Sequence, residues 1–355
     1  MKMTMSKIAS LAGVSRGAVD KTIHNRPGVR EEVRQRVLRV IDETGYIPLA
    51  ERKAVQKQLM SKSIAIILPR LTNPYFAALR RYLDEQSAFI PDIKLTYYPC
   101  DTTDIAGMLD LLHRLHDQPI DALLFRGVRN IAIQTELDTL GRPVVFFDSD
   151  MSSKKRLCFI GEDCIKSGRL AASLLAKSIG GCGQVAVLTG SEHIPSHQQR
   201  LEGFLETMRT MYPDIAVVRH LYTQEQPESA YRLTGRLLVD FPNLSGVCNL
   251  AGCSGEIGQA ILEQRQKGSV PLVCFSTAGD VADLIRKRVV SFCISLQPRE
   301  QARLMLETMC NYLQKEIHPA HSFVKVPVSI VVDENLDIFR LAQTANILGR
   351  SVVEV

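Results

Sequence analysis

Two rhythms of apolar residues divide the chain. Up to about residue 45 they recur at helical spacing: Ile8, Ala9 and Leu11, then Ala18, Val19, Thr22 and Ile23, then Val33, Val37, Val40 and Ile41. Steps of three and four residues place each set on one face of a helix. From Ser63 the pattern changes to short continuous runs, beginning with Ile64-Ala65-Ile66-Ile67-Leu68, as expected of strands buried on both faces. Further runs at 95–98, 122–125, 144–147, 184–189, 217–221, 246–250, 271–275 and 289–294 predict strands, with helices near 75–88, 105–116 and 197–211. Alternation of this kind builds parallel sheets with helices on both faces, and the roughly 280 residues involved suffice for two such lobes.

The first two helices are predicted together with their caps. Thr4 precedes one and Ser15 the other, each a hydroxyl able to accept a bond from an otherwise unpaired backbone N–H. Ala12 and Gly13 between them are small enough for a tight bend and a close crossing. Ile8, Ala9 and Leu11 are expected to be buried, while Arg16, Gly17, Asp20 and Lys21 face outward. That is the geometry of a helix-turn-helix, whose second helix lies in a DNA major groove. Pro27-Gly28 breaks the pattern, and a third helix is expected from about Arg30 to Thr44, stopped by Gly45. Arg30 cannot cap it, and its charge opposes the helix dipole, but it is placed to reach a phosphate.

Charge distribution strengthens the reading. Residues 1–62 hold 13 Lys and Arg against 6 Asp and Glu, whereas the remainder holds 30 against 32. The excess behind the net charge of +5 therefore sits on the segment proposed to meet phosphate, as a salt-sensitive DNA footprint requires. A length of 355 residues suggests two or three domains. No run approaches the roughly 20 apolar residues of a membrane span, so no membrane partner is expected. The start MKMTMSKIAS lacks the apolar core of a signal peptide, and a reducing cytoplasm is the expected setting. The nine cysteines form no C-x-x-C pair and mostly occupy apolar runs such as Leu272-Val273-Cys274-Phe275, where Cys acts as a small buried hydrophobe. No metal site and no cofactor are expected.

The stretch TMSKIASLAGVSRGAVDKTIHN at 4–25, followed by Asn25-Arg26-Pro27-Gly28-Val29 and closing at Gly45-Tyr46-Ile47-Pro48, closely resembles the headpiece of lactose-repressor/galactose-repressor transcription factors. The resemblance implies a headpiece at 1–48 with Thr4, Ser15, Arg16, Gly17, Asp20, Lys21 and Asn25 on DNA, while Arg30, the phosphate candidate, stands where the family usually has a capping serine. It also implies that the linker 49–62 is a hinge helix with Leu59 as a minor-groove wedge. The interval from Pro48 to Leu59 is longer than the family pattern, and the alanine normally before the leucine is missing. A flexible tether is the alternative reading of this linker.

Residues 63–335 resemble the family's effector region, which is related to periplasmic sugar-binding proteins. The fold expected is thus an all-α head plus a two-lobed α/β domain at 63–340, followed by a tail at 341–355. The N-terminal lobe would comprise 63–160 plus 295–324 and the C-terminal lobe 161–294 plus 325–340. Crossings between lobes are expected near Ile160-Gly161, Ser291–Ser295 and Lys325–Val328. Ligands of open α/β sheets sit at the carboxyl ends of strands, so the polar residues just after each apolar run are the candidates. These are Asn73, Tyr75 and Phe76 in an N-P-[FY]-F pattern, then Asp148, Arg200, Asn249, Ser276 and Gln297. Ser276 stands where the family has an aspartate that fixes sugar hydroxyls. Each candidate also has a plain structural reading: Asn-Pro as a turn, Phe76 as core, Arg200 paired with Glu202 or Glu206. Arg126, His193 or His197 beside Arg200 would suit an anion such as a sugar phosphate.

The combined expectation is a DNA-binding transcriptional regulator, a repressor in character, controlled by a small polar effector such as a sugar or sugar derivative. It would act as a homodimer on a pseudo-palindromic double-stranded operator. The tail lacks the leucine heptads of a tetramerising coiled coil. An α/β enzyme acting on a sugar or phosphate ester is the alternative. However, Gly180-Gly181-Cys182-Gly183 precedes its strand rather than following it, and no Walker, G-x-S-x-G or H-E-x-x-H motif occurs. A periplasmic binding protein would leave the basic head without a role.

Overall fold

The computed structural model describes residues 4–46, 61–69, 73–264, 269–275 and 280–337. Leu59, Ser276, most of the linker and the tail lie outside them. The chain forms two compact units, 1–61 and 62–355.

The first unit is built from α1 (Met5–Ala12), α2 (Arg16–Ile23) and α3 (Glu31–Thr44). Thr4 Oγ1 accepts from the Lys7 N–H at 3.4 Å, and Ser15 Oγ from the Ala18 N–H at 3.2 Å, so both expected caps form. Gly13 turns the chain at φ 62°, a left-handed conformation that glycine adopts without strain. Arg30 stands at the start of α3 with no side-chain cap, leaving Glu31 and Glu32 to complement the dipole. Ile8, Ala9, Ala12, Val19, Val37 and Tyr46 make the core. Leu11 is not in it. It is 59% exposed, because a 3.6-residue period carries Ala12, not Leu11, over Ile8.

The second unit contains two six-stranded sheets. The first orders its strands β11-β5-β4-β3-β1-β2, all parallel: β1 (Lys62–Leu68), β2 (Ile93–Pro99), β3 (Ala122–Phe125), β4 (Val144–Phe147), β5 (Arg156–Gly161) and β11 (Phe323–Lys325). The second is ordered β12-β10-β9-β8-β6-β7: β6 (Gly183–Thr189), β7 (Ile215–Tyr222), β8 (Leu244–Asn249), β9 (Leu272–Phe275), β10 (Val290–Ser295) and β12 (Ser329–Val331). Among the described strands only β12 runs antiparallel to its neighbour. Along β1, Ile64, Ile66 and Leu68 enter one core while Ala65 and Ile67 enter another, the two-residue alternation of a strand covered on both faces.

The covering helices are α4 (Pro74–Ser87), α5 (Ile105–Leu115), α6 (Ile131–Leu140) and α12 (Pro298–Lys315) for the first sheet. For the second they are α7 (Cys164–Ser178), α8 (Pro195–Met211), α9 (Pro227–Asp240), α10 (Ser254–Gln264) and α11 (Val281–Arg286). In each sheet the strand order reverses about the first strand, β2-β1-β3 and β7-β6-β8, and the reversal creates a crevice at the strands' carboxyl ends.

Among the described residues three connections join the sheets: β5 to α7, β10 to α12, and β11 to β12. Ser291–Ser295, expected as a crossing, instead form β10, held between β9 and β12. The crossing falls after Ser295, where Gln297 takes φ 52°.

Candidate functional site

In the three-helix unit the outward face of α2 presents Arg16, Gly17 and Lys21, all exposed. Asp20 is half-buried and pairs with Arg26 and His24, each at 3.5 Å. Asn25 adopts φ 49°, and its Oδ1 accepts from Arg34 Nη1 at 2.6 Å, locking the turn after α2 onto α3. Asn25 and Asp20 therefore hold this surface in shape, while Arg16 and Lys21 leave their charges free for solvent or phosphate. Thr4 and Ser15 use their hydroxyls as caps at the ends of the two crossing helices.

A second site lies between the two sheets. Arg126 follows β3, Asp148 follows β4, Glu162 follows β5, and Glu225 follows β7; His197 and Arg200 project from the first turns of α8. Arg126 Nε donates to Asp148 Oδ2 at 2.6 Å, and its Nη1 donates to Glu225 Oε2 at 2.9 Å and to Thr102 Oγ1 at 3.4 Å. Arg200 Nε donates to Glu162 Oε1 at 2.7 Å, and Nη1 to the Leu250 carbonyl at 2.9 Å. Each guanidinium also sits over an aromatic ring, Arg126 5.0 Å from Phe76 and Arg200 4.6 Å from Phe275, a favourable cation–π arrangement.

Burial of Arg200 depends on how closely α7 and α8 approach. A Cβ on Gly168 would lie 2.0 Å from the Arg200 carbonyl oxygen, and one on Gly203 2.1 Å from that of Ile165. The two glycines therefore let the helices touch backbone to backbone and press Arg200 into the site. The charges shift proton affinities accordingly. Burial alone would lower both arginines, but the carboxylates around them reverse this and raise both guanidiniums. Burial would likewise raise Glu225, yet Arg126 outweighs it and holds the carboxyl at about 2. Burial pushes His197 down to about 4, so the ring is neutral at pH 7. Its Nδ1 accepts from the Ser191 N–H at 3.1 Å, and its Nε2 lies 3.3 Å from Arg126 Nη2 and 3.8 Å from Glu225 Oε1.

Between these groups remains a cavity of about 30 Å³, lined by Asn73, Tyr75, Phe76, Arg126, Asp148, Arg200 and neighbours. It adjoins an outer chamber of about 180 Å³ lined by Asp101, Thr102, Thr103 and Glu225 among others. Asn73 caps α4 through Tyr75 N–H at 3.0 Å, and the Tyr75 hydroxyl bonds Gln301 on α12. Burial, with Asp148 and Glu162 nearby, keeps that hydroxyl protonated. Two candidates are not brought to the cavity. Asn249 uses its amide on Ala251 O, Gly252 O and Ser254 Oγ, shaping the loop after β8. Gln297 bonds Ser329 Oγ at 2.6 Å on the crossing segments.

Arg126, His197 and Arg200 do converge, whereas His193 is exposed. The anion-binding expectation meets a physical obstacle, because three carboxylates already face the two guanidiniums. Arg200 pairs with Glu162 rather than with Glu202 or Glu206, and Glu206 bonds Arg169. Glu162 and Glu225 were missed from the sequence. The strand-end rule applied to β7 points directly at Thr223–Glu225, and applied to the apolar run Leu157-Cys158-Phe159-Ile160 of β5 it points at Glu162.

Comparison with known proteins agrees with both halves. Residues 4–48 match the bacterial regulatory proteins of the lacI family, and residues 64–317 the periplasmic binding protein domain. The ribose operon repressor of Bacillus subtilis (strain 168) is 24% identical over 244 residues, covering 69% of this chain and 71% of the relative. The HTH-type transcriptional regulator MalR of Streptomyces coelicolor is 28% identical over 253 residues, 65% of this chain and 68% of that protein. Among solved structures, a periplasmic solute binding protein of Actinobacillus succinogenes 130z with bound D-allose superposes with a TM-score of 0.69 at 22% identity, covering 78% of this chain and 100% of that one. The arabinose binding protein AraP of Geobacillus stearothermophilus gives 0.65 at 20% identity, with 79% and 99% covered. At these identities the solved structures establish the fold.

Proposed function

The chain belongs to the lacI family of bacterial regulatory proteins, a helix-turn-helix head joined to a periplasmic binding protein domain, and we propose that it is a transcriptional repressor whose hold on operator DNA is set by a sugar or sugar derivative bound between the lobes. The observation that carries the reading is the pairing, in one chain, of a capped cationic α2 face with a strand-end crevice of buried charges over aromatic rings. Guanidinium donors, carboxylate acceptors and ring faces are the groups that hydroxyl pairs and the C–H face of a pyranose require. Relatives named as ribose and sucrose operon repressors support the effector class.

On the DNA side, Arg16 and Lys21 make base or phosphate contacts, Gly17 lets the helix approach, and Arg30 adds a phosphate contact. Two heads of a homodimer read a pseudo-palindromic operator in the cytoplasm. Closure of the lobes on the effector alters the spacing of the heads, a coupling between distinct sites. Two measurements test this. The purified chain is expected to shift DNA from upstream of its own gene selectively and with steep salt dependence. A panel of pentoses, hexoses and their phosphates is expected to contain a compound that raises the melting temperature and changes that shift. Absence of any sequence-selective shift overturns the proposal.

A further inference from the structure

Glu225 is built into the cleft with unusual care. It and Gln224 both take left-handed backbone angles, φ 53° and 56°, which non-glycine residues hold only when surrounding structure enforces them. The enforcement is visible: Thr223 N–H bonds the Thr189 carbonyl at 2.8 Å, Gln224 N–H the Gly190 carbonyl at 2.7 Å, and Glu225 N–H Thr223 Oγ1 at 3.3 Å. Two glycines leave the room it fills. A Cβ on Gly190 would lie 2.7 Å from Glu225 Cγ, and one on Gly252 3.3 Å from Glu225 Oε1. So seated, the carboxylate crosses to the other lobe and accepts from Arg126 Nη1 at 2.9 Å. Arg126 does not need it for neutrality, because Asp148 already faces its Nε. With His197 neutral, the cluster carries three carboxylates against two guanidiniums, and Glu225 is the surplus one.

The cavity of about 30 Å³ left around this contact holds a water or two and nothing larger. Glu225 also lines the outer chamber of about 180 Å³, so the carboxylate has somewhere to go. We propose that Glu225 is the cleft's own occupant: its carboxylate latches Arg126 across the two lobes, and an effector enters by displacing that carboxylate into the outer chamber. The latch gives the closed arrangement a stability of its own. An effector then gains only the difference between its contacts with Arg126 and those it replaces. The proposal rests on reading this cleft as the effector site.

The test uses the full chain with no sugar added, comparing the parent with E225Q and E225D by small-angle X-ray scattering and amide hydrogen exchange. Both variants remove the latch, one by charge and one by reach; if E225Q fails to fold, E225D carries the test. A larger radius of gyration together with at least about tenfold faster exchange at 100–103 and 223–227 is the expected result. Faster exchange with an unchanged radius means that Glu225 only steadies its loop, and overturns the latch. So do variants indistinguishable from the parent. Because no sugar is present, a failed effector screen leaves this result standing, and a successful screen with unchanged variants refutes the latch alone.

Discussion

Arg200 on α8 donates to Glu162 at the end of β5 across 2.7 Å, and both side chains are almost wholly buried. Arg200 Nη2 also touches Glu162 Oε1 in the same ion pair, while Glu162 Oε2 makes no hydrogen bond among the described residues. The pair therefore binds helix to sheet.

Removing one member strands the other. R200M is expected to lose about 3–5 kcal/mol of unfolding free energy, because Glu162 is left as an unpaired buried charge. The double variant R200M/E162Q is expected to recover a large part of that loss. Urea unfolding of the two single variants and the double completes the cycle. Simple additivity would show that the two groups are not coupled.

Helix contact at Gly168 makes a second prediction. A methyl there meets the Arg200 carbonyl at 2.0 Å, and backbone cannot yield as a flexible side chain does. G168A is expected to cost about 1–3 kcal/mol or more. It should also weaken effector binding beyond what stability explains, since it pushes Arg200 out of position. Calorimetry with the sugar identified by the screen reads the second effect.

Acid should act in two windows. Unfolded, His197 titrates near 6.5; folded, burial holds it at about 4, so the unfolded chain takes up a proton that the folded chain refuses. The folded state is thus favoured fully above pH 6.5 and loses on the order of 3 kcal/mol as pH falls to 4. Glu225 has its ordinary value at 4.5 and its folded value at about 2, so its contribution is present above 4.5 and lost below it. Urea midpoints at pH 7, 5.5 and 4.5 are expected to fall, and H197N to flatten the upper window. An unchanged slope in H197N assigns the loss to other groups.

Gly17 separates folding from DNA binding. Its nearest neighbour to an added methyl is Ser15 Oγ at 3.9 Å, so nothing in the head requires glycine. G17A is expected to raise head stability by up to about 1 kcal/mol. It should nevertheless weaken operator binding, as the added methyl holds α2 away from the groove. R16A and K21A should weaken it without the gain, and loss of a phosphate contact lowers the salt slope by about 1. Melting curves and salt-dependent titrations tell the two effects apart.

Much of the head was legible because its signals are local. Thr4, Ser15, Gly13 and Gly45 act on backbone groups within a few residues, and each does so in the structure as its type dictates. The alternation of strands and helices was legible for the same reason. Leu11 is exposed because positions three and four residues after Ile8 both lie near its face, and the head's core takes Ala12 instead.

Sequence by itself determined the order of the elements, the caps and turns, the cationic head and the class of fold, since these follow from spacing and from the conformations each residue type permits. Only the tertiary structure decided which charges meet. Glu162 lies 38 residues from Arg200, and Glu225 lies 99 from Arg126. Their proximity is set by strand order and by the touching backbones at Gly168 and Gly203. Coulomb interaction depends on distance in space and on exclusion of water, and neither quantity is written in the spacing along the chain.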